Sequence, residues 1–176
     1  MFRPNKVFLD LEDTIITTWH EGLLINASSI REFLEKDEFI LNTSVTPVIE
    51  EVRIFSFAIW DNKDKEDFVT RHFKDMIERV LGVKVVEWLS VEDMQKIVED
   101  WSGFKFYDRT DFMQLHGKHD AFIKVCLARE VNFNCVLIDD AVPSRTVIDH
   151  ERNLEINLVP VQRLTGERQM DCIRKL

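Results

Sequence analysis

Six residues of this chain have the types and placement to do chemistry together: Asp10, Glu12, Ser56, Lys118, Asp139 and Asp140. Asp10 ends the apolar run KVFLD and is followed by Leu11, Glu12, Asp13 and Thr14; Ser56 stands at the end of RIFSF; the pair Asp139-Asp140 closes NCVLIDD. Carboxylates that converge on one edge of a sheet repel each other unless a cation sits among them. Ligands that are all oxygen favour magnesium over zinc. Lys118, just before the helix that leads into the Asp-Asp strand, adds a positive charge from the same side. Such a set suits phosphoryl transfer, because magnesium and lysine draw in a dianionic phosphate that the carboxylates alone would repel. One carboxylate then attacks phosphorus to give an aspartyl-phosphate. A second acid protonates the leaving oxygen and afterwards deprotonates the water that clears the intermediate. The Ser56 hydroxyl and backbone N–H groups of the first loop hold the phosphate oxygens.

The elements that must position these residues alternate between strand and helix. Lys6–Asp10 reads as a buried strand, followed by a tight β-hairpin through TIITTW and LLINA with His20-Glu21-Gly22 at its turn. Ser28 or Ser29 caps a helix carrying Ile30, Phe33 and Leu34, and 42–47 is a loop. Val52–Phe57 is the second strand, and the spacing of Phe68, Val69, Phe73, Met76, Ile77 and Val80 predicts one long amphipathic helix over 64–81, ended by Gly82. The charge run Asp61 to Asp67 reads as the solvated start of that helix. Val83–Trp88 is the third strand, Ser90 caps a helix to about Asp100, and 102–117 is aromatic, charged and hard to read. A helix over 119–130, a strand over 134–139 and a last strand over 156–161 complete the chain. This alternation implies a three-layer, doubly wound, Rossmann-like α/β fold with a parallel sheet, right-handed crossovers and a hairpin flap after the first strand. In such sheets ligands bind beyond the carboxyl ends of the strands, where the six residues lie.

Composition narrows the classes further. The 176 residues suit one domain, are 45% hydrophobic and 31% charged, and contain no apolar run long enough to span a membrane. The net charge of −9 opposes an extended nucleic-acid-binding surface while leaving room to grasp one phosphate. Cys126, Cys135 and Cys172 form no metal-ligand spacing and read as free thiols in a reducing cytoplasm. None of the five histidines falls in a zinc motif.

The motif order resembles the haloacid dehalogenase superfamily over about residues 6–161. VFLDLEDTI stands for its first motif, RIFSF for the second, HGKHDAF for the lysine motif and VLIDD for the fourth. The resemblance implies a magnesium-dependent phosphatase in which Asp10 is nucleophile and metal ligand. Glu12 would be the general acid/base and would offer its backbone carbonyl to the metal. Ser56 and Lys118 would bind phosphate, with Asp139 and Asp140 ligating or positioning the metal and Asp140 preferred as direct ligand. The family's phosphatases usually carry Asp where this chain has Glu12. The extra methylene displaces the carboxyl by roughly 1.5 Å, and a misplacement of about 1 Å can cost about a hundredfold in rate. Glu12 thus suits a slower acid/base, one re-sited for an unusual substrate, or a domain that binds without turnover. Neither of the family's cap insertions has much room, which implies an open site for a nucleotide, a polynucleotide 3′-phosphate or a phosphorylated protein. A phosphodonor-regulated α/β domain is a remote alternative, disfavoured by the hairpin.

Blander roles compete for several neighbours. Lys124 and Lys105 are the other lysines near the motif, and Lys124 lies mid-helix, where solvation is the default. Trp19 and Trp60 sit just beyond strand ends and could stack on a base, although packing is the more common use of such residues. His20, His116 and His119 read as surface residues.

Overall fold

Short β-rich runs separated by capped helices build a six-stranded sheet in the computed structural model, which describes residues 3–15 and 49–161. The strands are β1 (Asn5–Leu9), β2 (Glu51–Phe55), β3 (Lys84–Leu89), β4 (Asn134–Asp139), β5 (Arg145–Asp149) and β6 (Leu154–Pro160). The helices are α1 (Asn62–Thr70), α2 (Phe73–Leu81), α3 (Val91–Ser102) and α4 (Arg109–Arg129). The sheet order is β3-β2-β1-β4-β6-β5, parallel except for β5, which runs antiparallel to β6.

Strand alternation sends Val7 and Leu9 of β1 to one face and Phe8 to the other. The first face packs with Val52, Ile54, Val136 and Ile138 under Phe68, Phe73 and Ile77 of α1 and α2. The second packs with Phe55 and Leu137 under Met94 and Val98 of α3 and Phe112, Phe122 and Val125 of α4. Phe8, Phe55 and Phe122 meet edge to face, with centroids 5.1 to 6.5 Å apart. Helices therefore cover both faces of a mostly parallel sheet, as the alternation implies.

Several expectations need correction. The helix predicted over 64–81 is two helices of nine residues, broken at Arg71-His72, where His72 is left-handed with φ 64°. The reason is phase: Phe68 and Phe73 are five positions apart, about 140° around a continuous helix. The break lets both rings enter one core, stacked 6.5 Å apart, and leaves Val69 exposed. The sheet is not wholly parallel, because Arg145–Asp149 forms an edge strand that its mostly exposed pattern conceals. The unreadable segment resolves into a short loop and the first half of α4, which begins ten residues before the expected helix. The first-strand hairpin, the helix after Ser28, the loop at 42–47 and Cys172 lie outside the described residues.

Helix α3 starts with a capping box: Asp93 donates its N–H to the Ser90 hydroxyl, and Ser90 its N–H to the Asp93 carboxylate. Asp61 caps α1 by accepting from the Asp64 N–H, so the charged run does open a helix. No helix among the described residues is long and apolar enough to cross a membrane.

Candidate functional site

Pairing of β1 with β4 sets Leu9 level with Ile138, so the next residues, Asp10 and Asp139, leave the sheet side by side. The Asp10 N–H donates to the Ile138 carbonyl at 3.0 Å, extending the ladder by one rung. Both aspartates are fully buried, Asp140 follows half-buried, and each of the three offers a carboxylate oxygen within 4.8 Å of the others.

Lys118 reaches this cluster because of Gly117. That glycine has φ 61° and ψ 171°, a combination nearly confined to glycine, and it breaks α4 internally. A Cβ there would meet nothing closer than 3.7 Å, so conformation and not crowding requires the glycine. Beyond the break, the Lys118 Nζ donates to Asp10 Oδ1 at 2.9 Å and lies 3.0 Å from Asp139 Oδ2.

Electrostatically the cluster is unbalanced. Burial drives the Asp10 carboxyl from 3.8 up to about 7; Lys118 pulls it back, and Asp139 and Asp140 push it further up. Asp139 is raised as well, first by burial, against the pull of Lys118 and of the Ala141 N–H, which donates to Asp139 Oδ1 at 2.8 Å. For Lys118 burial works against the charge, but Asp10 and Asp139 outweigh it and hold the ammonium above its ordinary value. Among the described residues, three carboxylates against one ammonium leave a formal −2, the charge one divalent cation would cancel. An all-carboxylate donor set of this kind fits a hard cation such as magnesium.

Thr14, which the motif contains but to which no role was assigned, joins the two halves of the cluster. Its hydroxyl lies 3.1 Å from Asp10 Oδ2 and 3.3 Å from Asp140 Oδ1, and it accepts from the Asp140 N–H at 3.1 Å. Having one proton, it donates to one carboxylate at a time. Its position four residues after Asp10, in a loop closed by the Ile15 N–H on the Leu11 carbonyl at 2.9 Å, was the available signal. Asp13 makes that turn with φ 60°, a conformation aspartate tolerates better than most residues.

Ser56 follows directly on β2, beside β1, and is buried. Its hydroxyl accepts from the Ala58 N–H at 3.2 Å, forming a small turn at the strand end. The Glu12 backbone forms a β-bridge, while its exposed side chain makes no hydrogen bond or ion pair among the described residues and its carboxyl is not one of the three grouped oxygens.

The competing residues settle into structural roles. Lys124 pairs with Asp120 at 3.3 Å, and Lys105 lies 4.0 Å from Asp100. His116 is not a surface residue: it packs edge to face on Phe106 and Phe112 and bonds Asp120 through Nδ1 at 3.0 Å. Trp60 packs against the second core with the Arg109 guanidinium 5.2 Å above its ring, while Trp19 and His20 lie outside the described residues. Compared with protein-family models, with curated proteins and with solved structures, the chain matches none of them.

Proposed function

We propose that this chain is a magnesium-dependent phosphomonoester hydrolase of the haloacid dehalogenase type, acting through an aspartyl-phosphate on Asp10. The observation that carries the reading is the buried Asp10 carboxylate, held on one oxygen by Lys118 and on the other by Thr14, with Asp139 and Asp140 beside it. Both oxygens of the nucleophile are oriented before a substrate arrives, which lowers the cost of reaching attack geometry.

In the proposed reaction an Asp10 oxygen bonds to phosphorus as the ester oxygen departs, and Glu12 gives the leaving oxygen its proton. Glu12 then takes a proton from water. The water oxygen attacks phosphorus, the bond to Asp10 breaks, and orthophosphate leaves with the carboxylate restored. Lys118 offsets phosphate charge, and Ser56 with the N–H groups after β1 would hold phosphate oxygens. Magnesium, held by Asp10 and Asp140 with Asp139 and the Glu12 carbonyl in support, would supply the neutralising charge that lets a dianion approach.

The chain runs from β3 through α3 and α4 directly into β4, with no inserted domain on that side of the site. This supports an accessible phosphate as substrate, on a nucleotide, a polynucleotide 3′ end or a protein. Buried free Cys126 and Cys135 suit a reducing cytoplasm.

A second reading, a domain that binds a phosphorylated partner without turnover, is favoured by Glu12 being exposed and outside the carboxylate group. Magnesium-dependent turnover of a generic aryl phosphate separates the two. The enzyme reading expects activity in the parent and a loss of at least about a thousandfold in Asp10→Asn. An inert parent with an active Glu12→Asp variant selects the binding reading. Activity indifferent to Asp10→Asn sinks the nucleophile assignment.

A further inference from the structure

A second polar pocket, of about 360 Å³, opens on the α3–α4 face of the sheet, lined by Lys6, Arg53, Val86, Glu87, Arg129 and Glu130. It lies toward the amino ends of the strands, away from the aspartate cluster. Lys6 precedes Phe8 by two positions and Arg53 precedes Phe55 by two, so both share the face of those core rings.

The charges here are mostly spoken for. Both Glu87 oxygens are taken by Arg129, at 3.1 and 2.8 Å, and Glu130 by Lys6. Arg53 is the exception. Its side chain is only 18% exposed, and it makes no hydrogen bond among the described residues. Its nearest acid there, the exposed Glu51, is 3.9 Å away.

The backbone contributes to this arrangement. Val52 pairs with Val85 but Arg53 with Glu87, so β3 carries one extra residue, Val86, opposite the step from Val52 to Arg53. Such a bulge re-aims side chains. It sets Glu87 level with Arg53, yet Glu87 turns both oxygens to Arg129. The Nε of Arg129 is also buried without a hydrogen-bond partner among the described residues. Within the lining three cations face two glutamates, and Arg53, whose one acid among the described residues is the exposed Glu51 at 3.9 Å, carries the excess positive charge on a guanidinium whose planar fork matches an oxyanion.

We propose that this pocket is a binding site for a small oxyanion, a phosphate or carboxylate group on a small molecule, received by Arg53 with Lys6 and Arg129 at its sides. It is separate from the aspartate cluster and does not depend on what that cluster does.

Orthophosphate and acetate serve as probes, titrated at pH 8 in metal-free buffer, where the aspartate cluster is anionic and repels both. Backbone amide shifts are followed by two-dimensional NMR. Saturable shifts are expected on Arg53, on Val86 and Glu87, and on Arg129 and Glu130. Arg53→Gln should weaken binding at least about tenfold, as loss of a charge-assisted contact does, while Lys105→Gln, which removes an exposed cation elsewhere, leaves the affinity unchanged. Tighter binding of phosphate identifies a phosphoryl ligand, and tighter binding of acetate a carboxylate. Arg53→Lys, which keeps the charge and loses the fork, carries the same test with Lys6→Gln if the glutamine variant does not fold. Absence of saturable shifts, shifts centred on residues 10–14 and 139–141, or affinity unchanged by the Arg53 substitutions would each overturn the proposal.

Discussion

At the carboxyl end of the sheet Asp10 and Asp139 share the Lys118 ammonium with Asp140 beside them, whereas toward the amino end Glu87 and Glu130 each have a cation of their own and Arg53 has the exposed Glu51 at 3.9 Å. Both clusters draw on β1 and α4, so the contrast does not come from a different layer of the fold. It lies in how charge is disposed. Pairing in the second cluster keeps partly buried charges neutral two by two, which limits their desolvation cost. In the first, Asp10 and Asp139 share one ammonium beside a third carboxylate, and burial lifts Asp10 to about 7. A fold gains nothing in stability from that, and strained titratable groups of this kind mark functional sites.

The largest effect is expected from removing the Lys118 ammonium from the acidic cluster. Lys118→Met leaves Asp10 and Asp139 without that charge and should lower stability by about 3 kcal/mol at pH 8 without divalent ions, measured by urea unfolding. Adding magnesium should recover part of that loss. A variant as stable as the parent would mean that the lysine does not bear the charge balance.

The next effect is a pH slope. Asp10 has its folded pKa raised from 3.8 to about 7, so between those values the folded state holds a proton that the unfolded chain has released. Its contribution to stability is therefore full below pH 3.8 and lost as pH rises through about 7. Asp139, also raised, acts in the same direction. Measured against Asp10→Asn in chelator, the parent should lose relative stability from pH 4 to pH 8, and magnesium should stabilise it most at the alkaline end. A flat difference would remove the electrostatic contrast between the two clusters.

The smallest effect is expected at the paired end. Glu87→Gln breaks a two-pronged but partly exposed ion pair, with side chains 26% and 33% exposed, and should cost about 1 kcal/mol in the same urea assay. A loss rivalling that of Lys118→Met would put the strain at the wrong end of the molecule.

Much of this was legible in the chain. The apolar run ending in Asp139 matches its strand residue for residue, Ser90 caps its helix as its type suggests, and Asp10, Ser56 and Asp139 stand at strand ends. What escaped had a common physical cause, since each feature depends on a partner distant in sequence. The break at His72 exists because two phenylalanines must reach one core. The edge strand β5 is defined by its neighbour β6 and not by its own weak pattern. His116 looks like a surface residue until Phe106 and Phe112 close over it.

The sequence by itself determined which side chains carry charge, where the five parallel strands lie, and that Asp10 and Asp139-Asp140 end two of them. Only the tertiary structure decided that Thr14 bridges Asp10 and Asp140, that a glycine with φ 61° swings Lys118 between two aspartates, and that Glu12 stays outside their group. The physical reason is that residue type sets a charge locally, while its cost, pKa and partners depend on how deeply the fold buries it and on what the other strands bring beside it.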